Sequence, residues 1–469
     1  MMPRGWMVAS TLFALAGLPI GAGSGAAASP SVAALSLIAS PPPALPPANP
    51  HFAISDLGTL GGETSSASSL NDLSQVVGSS LISAGAEHAF LYSAGKMSDL
   101  GTLGNASSAA SGINNLGHVV GNSLAGRQAA PHAFLYSGGK MIDLGTLGGI
   151  SSSASGINDA DEVVGYSFLP VVSHSFVAGI VSLHAFLYSK GRMSDLGTLG
   201  GPTSVGTAIN AIGQVVGNSF TAVNSAQHAF LYSGGRMSDL GTLGGANSVG
   251  IGINALGQAA GNSFISGDAA FHALLDSGGK MSDLGTLGGA NSSANSVNAL
   301  GQVVGESDTA SGVEHAYFWK DGAMVDLNSL ISDGSGWELK TASSISDGGE
   351  IVGSGTHNGP MHAFLLTPTD ERALTPQEVS DAKGAIDRMI SQLGIKANTA
   401  RPTLLRFNYL ITKLQVARLK LDQGSRTVAM NLLQSFVNVG STLTEKEIAP
   451  DKKKLVLGAA QSVITQLAN

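Results

Sequence analysis

Between residues 51 and 368 the apolar and polar positions change over in short runs, too short for helices. Residues 107–145 show the pattern best. SSAASGIN (107–114) leads into the turn Asn114-Asn115-Leu116-Gly117. HVVGNS (118–123), a variable loop, HAFLYS (132–137), Gly138-Gly139 and KMIDLG (140–145) follow. Alternation in the last two segments is what half-buried strands require. Gly-Gly between them is a two-residue hairpin signal, because glycine takes φ > 0 without strain. Asn-x-x-Gly suits a tight turn, with Asn bonding locally and Gly in the left-handed position. The pattern predicts four short strands in about 44 residues.

This unit recurs seven times. His-Ala-aromatic begins at His88, His132, His184, His228, His315 and His362, with a His-Ala-Leu version at His272. Asp-Leu-Gly-Thr-Leu-Gly begins at Asp56, Asp99, Asp143, Asp195, Asp239 and Asp283, and a degenerate copy begins at Asp326. A Val-Val-Gly-like triplet ends at Gly78, Gly121, Gly165, Gly217, Gly261, Gly305 and Gly353. Four strands per unit are a β-propeller blade, and a stacked solenoid is the alternative. The chain enters at the end of a unit (FAISDLGTLGG, 52–62) and leaves at HAFLLT (362–367), which lacks that end. A ring closed by pairing the first strand with the last explains the split unit, whereas a solenoid needs capping units. The segment after Asp-Leu-Gly is always made of small residues, such as Ser107–Gly112 and Ser151–Gly156. It is therefore expected to be innermost, with Val-Val-Gly second, His-Ala-Phe third and Asp-Leu-Gly outside. The expected fold is an all-β seven-bladed β-propeller over residues 51–368.

Beyond it the period changes to that of helices. Thr375-Pro376-Gln377-Glu378 is a capping box with Pro at the first helical position. A second helix opens at Arg401-Pro402 and carries an apolar stripe of Phe407, Leu410, Leu414, Ala417 and Leu421. Ser425 is expected to cap a third, with Val428, Leu432, Phe436 and Val439. A fourth carries Val456, Ala460, Val463 and Leu467. Four amphipathic helices with short loops predict an antiparallel bundle over 371–469, expected to fold independently.

Composition sharpens this division. Gly accounts for 63 of 469 residues and charged residues for only 12%, which excludes a long coiled coil. Residues 1–370 carry 10 Lys+Arg against 24 Asp+Glu, and residues 371–469 carry 14 against 8. The absence of Cys excludes disulfides, thiolate metal sites and Cys nucleophiles. At the N-terminus Arg4, the apolar run Trp6–Ile20 and Ala26-Ala27-Ala28 have the three parts of a cleaved signal peptide, expected over residues 1–28. Residues 29–50 are Pro-rich and read as an extended tether. No later segment is long and apolar enough to span a bilayer. The expected location is secreted, extracellular or cell-surface.

The recurring HAFLYSxGKMxDLGTLGG with INxxGxVVGxS resembles the HAF-type repeat of secreted bacterial proteins over residues 51–368. Departures are local: Leu274 and Tyr317 replace the Phe, Asp276 replaces Tyr, and Ala259-Ala260 replaces Val-Val. The resemblance implies an extracellular repeat protein without a defined reaction. Residues 400–469 resemble the FIMAH-like helical modules at the ends of some secreted bacterial proteins, which implies an accessory module.

Candidate chemistry is sparse. There is no nucleotide-binding Gly loop, GxSxG elbow or HExxH. Asp143 is expected to pair across from Phe134, diagonal to His132, giving each blade a His–Asp contact. Third strands diverge around a ring, so His88, His132, His184, His228, His272, His315 and His362 read as structural. No catalytic residue, metal or cofactor is expected. Asn158–Glu162 and Asp333–Gly336 lack the spacing of a calcium loop and read as acidic turns. Arg406, Lys413 and Lys420 form a basic stripe, read as a solvated face or as a contact for an anionic glycan or surface. Nucleic acid is not expected as a partner.

The loops from second to third strand share one face with the blade-to-blade links, and vary most. Ser167–Leu183 is the longest and is apolar. Phe168, Val172, His174 and Phe176 from it, with Thr102, Thr146, Thr198 and Thr242 from the links, are the candidate contacts for a glycan or surface protein. The expected function is non-catalytic binding. A polysaccharide-active hydrolase or lyase with its site on one mouth is the first alternative, and a structural envelope or matrix component is the second.

Overall fold

A computed structural model describes residues 52–468, apart from 126–129, 171–181, 223–225, 370–371 and 394–400. The expected signal segment and tether therefore lie outside the described residues.

The chain opens with β1 (Phe52–Asp56). Blade one follows as β2 (Gly61–Leu70), β3 (Val76–Ile82), β4 (Glu87–Ser93) and β5 (Lys96–Asp99), hydrogen-bonded in that order. Blade two repeats it as β6 (Gly104–Ile113), β7 (Val119–Ala125), β8 (Ala130–Ser137) and β9 (Lys140–Asp143). Strands β10 to β25, within residues 152–326, build blades three to six the same way. Blade seven holds β26 (Trp337–Ile345), β27 (Ile351–His357) and β28 (Met361–Pro368), and β1 is its outer strand. The pairing Phe52↔Pro368 to Asp56↔Phe364 closes the ring as the split unit requires. The strands from Phe52 to Pro368 form a seven-bladed propeller with the expected strand order.

The small-residue strand is innermost because the backbones meet there. A Cβ on Gly112 of β6 would lie 3.3 Å from the Gly156 Cα of the next blade. The Val-Val-Gly triplet has a different cause. Each inner strand bulges opposite it, as between Ala110 and Gly112. The bulge drives an inner-strand carbonyl at the glycine, and a Cβ on Gly121 would meet the Ala109 oxygen at 2.0 Å. Equivalent clashes of 1.9–2.0 Å recur at Gly78, Gly165, Gly217, Gly261, Gly305 and Gly353. The two valines point to opposite faces, Val119 into the core shared with blade one and Val120 into that shared with blade three. A blade buried on both faces needs this continuous apolar pair.

Buried serines fasten blade to blade. The Ser108 hydroxyl donates to the Gly101 carbonyl (2.6 Å) and accepts from the Ala89 N–H (2.9 Å), both in or just after blade one. Ser65 accepts from Ala363 N–H at 3.0 Å, so the same bond crosses the closing seam. Departures from the repeat compensate one another. Ala260 stands where other blades have Val, and the larger Tyr317 packs in the same core.

The tail forms α1 (Pro376–Leu393), α2 (Arg401–Asp422), α3 (Arg426–Ser441) and α4 (Pro450–Ala468). Every predicted stripe residue of α2, α3 and α4 is buried. The Thr375–Glu378 box is made, with Thr375 N–H donating to Glu378 at 2.7 Å. Bonds from Arg372 and from Thr375 hold the Glu378 carboxyl down at about 2. Ser425 occupies the N-cap of α3, but its hydroxyl makes no capping bond. Among the described residues no helix is long and apolar enough to cross a membrane.

Removing residues 51–60 deletes β1 together with the buried side chains of Phe52 and Leu57. This is expected to destabilise the propeller by about 5 kcal/mol or more, from two lost core side chains and an unpaired strand edge. A urea melt compares the two forms, and an unchanged midpoint would refute the closure.

Candidate functional site

The two faces of the ring differ in what their side chains have left to offer. On one face lie the Asn-x-x-Gly turns. Asn71 Nδ2 donates to the Asn114 carbonyl of the next blade at 2.9 Å and to Gln75 Oε1 at 2.7 Å. Its Oδ1 accepts from Leu73 N–H and Gln75 N–H. Asn114, Asn158, Asn210, Asn254 and Asn298 reach the carbonyl of the following turn in the same way, at 2.9–3.1 Å. An Asn side chain has two donor hydrogens and two acceptor lone pairs, and here all four are used. A cavity of about 210 Å³ lies at this mouth, lined by these Asn residues and by Tyr409 and Lys413 of the tail. The amides of these six turn Asn residues have no hydrogen-bonding capacity left for a ligand.

This mouth is where the helices dock. The residue after each Asn differs from blade to blade: Asp72, Asn115, Asp159, Ala211, Ala255, Ala299 and, after Ser346, Asp347. Half the rim is therefore acidic or amide and half is apolar. Leu73, Ala211, Ala255, Leu256 and Ala299 join the apolar core of the bundle. On the polar half Lys413 lies between Asp72 and Asp347, with Asp347 Oδ2 at 2.6 Å. The Tyr409 hydroxyl donates to Asp347, and the Lys413 ammonium lies 4.6 Å from the Tyr409 ring centroid. Lys420 donates to Ser74 and to Glu350 at 3.2 Å. Asn431 and Asn438 of α3 donate to the Gly348 and Ala299 carbonyls, each at 2.9 Å.

These contacts correct the reading of the basic stripe. Lys413 and Lys420 are 2% and 3% exposed, and face neither water nor an external anion. Only Arg406 of the three keeps a partly exposed side chain, near Glu447 at 3.7 Å. Helix α2 is buried on two sides, its apolar stripe in the bundle and its basic stripe on the ring. Burial alone would discharge the Lys413 ammonium, but Asp347 and Asp72 more than offset it and hold the pKa well above the usual range. Asp347 is also desolvated, yet Lys413 and the Ala299 N–H hold it low. Burial, and the charge of Asp347, push Asp72 up in spite of Lys413, so of the two carboxyls Asp72 is the one more readily protonated.

The opposite face carries the links, the second-to-third loops and the His–Asp pairs. Asp143 stands opposite Phe134 as the spacing predicts, and His132 Nδ1 lies 2.8 Å from Asp143 Oδ2. The pair recurs for His88–Asp99, His184–Asp195, His228–Asp239, His272–Asp283, His315–Asp326 and, across the seam, His362–Asp56. Each Asp also accepts a backbone N–H two residues on, as from Gly145 to Asp143 at 2.8 Å. Blade seven adds His357, whose Nδ1 is 2.9 Å from Asp56 Oδ2. Sequence reasoning missed this residue because it belongs to no repeat marker; the only trace is its spacing of five from His362.

The candidate threonines sit in successive links on this face and are engaged locally. Thr146 Oγ1 accepts from Gly148 N–H at 3.1 Å and donates to the Gly149 carbonyl at 2.9 Å. Thr102, Thr198 and Thr242 accept from Gly104, Gly200 and Gly244 at 3.1–3.2 Å. Phe168 ends its strand, half-buried and edge-on to Tyr166 at 6.5 Å. Val172, His174 and Phe176 lie outside the described residues. Beside Phe168, whose carbonyl accepts from Gly149 N–H at 3.1 Å, Ile150 is 70% exposed.

No family model matches the chain, and no curated protein matches it. Among solved structures it is similar to TolB from Acinetobacter baumannii, at 12% identity and a TM-score of 0.35, over 64% of this chain and 65% of that one. It thus spans about two thirds of the TolB chain's length. It is also similar to the β-propeller domain of the trilobed protease from Pyrococcus furiosus, at 9% identity and a TM-score of 0.30, over 59% of this chain and 98% of that one.

Two substitutions separate the roles of these polar groups. Asp143 is 42% exposed at its side chain, so His132→Ala leaves no buried charge. Its expected cost is below about 1 kcal/mol, less than a buried pair would give. Lys413→Ala instead strands two buried carboxylates and is expected to cost about 3–5 kcal/mol. Adding Asp72→Asn and Asp347→Asn should recover most of that loss, and urea denaturation of the four proteins measures both.

Proposed function

We propose that the chain is an exported, non-catalytic binding protein in which the propeller presents its loop face to a glycan or surface protein. The observation that carries this reading is the asymmetry of the ring. The tight-turn mouth is occupied by the helical module and its Asn amides are saturated, whereas the loop face holds the blade-specific segments and the exposed Ile150. Recognition on scaffolds of this kind is concentrated in loops held by a rigid frame. Export is supported by Arg4, the apolar run Trp6–Ile20 and Ala26-Ala27-Ala28. The resemblance to HAF-type repeats and FIMAH-like modules points the same way and adds the extracellular setting.

A glycan array and a panel of cell-surface proteins, probed with the chain lacking residues 1–28, test the reading. On any ligand found, Ile150→Asp and replacement of Ser167–Leu183 by the shorter Ser219–Gln227 loop are expected to weaken binding at least tenfold with an unchanged melt. Leu116→Asp, at a 60% exposed position in a tight turn of the other face, is expected to bind as the parent does. The reverse pattern would place recognition on the wrong face.

A further inference from the structure

We propose that Asp56, His357 and His362 form a site for one divalent transition-metal ion at the closing seam of the ring. The proposal does not depend on the binding role above. The seam differs from the other blades in the ligands it offers. Every blade has a His on its third strand and an Asp on its outer strand, but blade seven has a second His at the end of β27. The equivalent positions elsewhere hold Ile82, Ala125, Leu169, Thr221, Ile265 and Thr309. None of these is a metal ligand by side-chain nitrogen or carboxylate.

The geometry suits coordination. The Nδ1 atoms of His357 and His362 each lie 2.9 Å from Asp56 Oδ2, and the three potential ligand atoms lie within 4.8 Å of one another. Ligand atoms 2.9 Å apart, each bonded at about 2.0–2.1 Å, subtend about 90° at the metal. Two imidazoles and one carboxylate on one side of the ion leave its other positions open to water or an incoming donor. A donor set without sulfur suits Zn²⁺, Ni²⁺ or Co²⁺. Both imidazoles offer Nδ1 as a ligand when the ring proton sits on Nε2, so binding exchanges two N–H···O bonds for two metal–nitrogen bonds.

The supporting groups are built for orientation. The His357 ring is stacked on Trp337 with centroids 4.6 Å apart and planes 3° apart. Trp337 in turn meets Phe364 edge-on at 5.9 Å. Trp337 stands where blades one, two, four, five and six have a glycine opposite the same position, so His357 and its stacking partner occur together in one blade. Asp56 Oδ1 is held by the Gly58 N–H at 2.8 Å and lies 3.1 Å from His362 Nδ1, while Oδ2 is the oxygen within 2.9 Å of both rings. An ion here would tie β1 to β27 and β28, joining residues 301 and 306 positions apart. Binding to the closed ring alone would stabilise that state by mass action.

The test uses chain without a His tag, stripped with EDTA and titrated with ZnCl₂ alone by calorimetry, with metal content and thermal melts measured in parallel. The expected result is one Zn²⁺ per chain and a melt that rises with Zn²⁺ concentration. His357→Ile, which installs the residue found at that place in blades one and five, and His362→Ala should each abolish both effects. His132→Ala should retain them. If His357→Ile does not fold, Asp56→Asn replaces it, since Asn keeps acceptance from Gly58. No binding by the parent, a stoichiometry near seven, or binding that survives loss of His357 would overturn the proposal.

Discussion

The pairing of β1 with β28 is the constraint on which the rest of the molecule depends. Each blade is buried on both faces, with one core shared with the blade before it and another with the blade after. Such a stack has no natural end, because a first or last blade would expose an apolar face. Closing the ring removes both ends together, and β1 makes the closure a strand pairing within one sheet instead of a contact between finished blades. The inner strands then have to meet around one axis. That meeting accounts for the small residues of the inner strand, for the serines that bridge blades, and for the carbonyl that forces glycine after each Val-Val.

Once those demands are met, the repeat itself has little chemistry to spare. Its Asn amides are saturated, its Ser hydroxyls are buried between blades, and its His–Asp pairs tie a third strand to an outer strand. What distinguishes one part of the ring from another is where the repeat breaks. At the second position of the tight turn, alanine in three successive blades gives an apolar half-rim, and Asp72, Asn115, Asp159 and Asp347 give a polar one. The helical module reads that division, with its apolar residues on the alanines and Lys413 on the acids. A buried ion pair is a poor source of stability but fixes orientation, because a misplaced helix would bury unpaired charge.

Strands, turns, blade order and ring closure were legible because each follows from a local rule repeated seven times, and seven copies average out local exceptions. The helices were legible from their stripes, every member of which is buried, although Tyr409, Val416, Ala429 and Leu433 are buried beside them without having been singled out. What could not be read was which face of α2 meets water. A stripe of Arg406, Lys413 and Lys420 looks the same whether it faces solvent or acids 341 and 70 residues away. The acids gave no signal either, since Asp72 and Asp347 stand in turns where Asp is common for local reasons. His357 was hidden for the opposite reason: it appears once, and a reading built on recurrence passes over single events.

Several of the polar breaks in the repeat lie where blade one meets blade seven. Asp72 and Ser74 belong to blade one, and Asp347 and Glu350 to blade seven, the two blades that the closure brings together. Asp347 N–H donates to Asp72 Oδ1 at 3.1 Å, and the Ser74 hydroxyl donates to Glu350 at 2.6 Å. Lys413 lies between the first two carboxylates, and Lys420 lies against the second pair. At mid-blade the Ser66 and Ser354 hydroxyls are 2.7 Å apart, and on the loop face Asp56 meets His357 and His362. Every blade junction is joined by a short link, residues 57–60 between blades seven and one included, but inside blade seven β1 and β28 are held together by strand pairing and not by a link. The side chains that join blade one to β26, β27 and β28 therefore reinforce that pairing. The helical module is thus more than a neighbour of the propeller. Its two buried lysines bridge the first blade to the last, and they add to closure at the tight-turn face what β1 supplies at the outer edge.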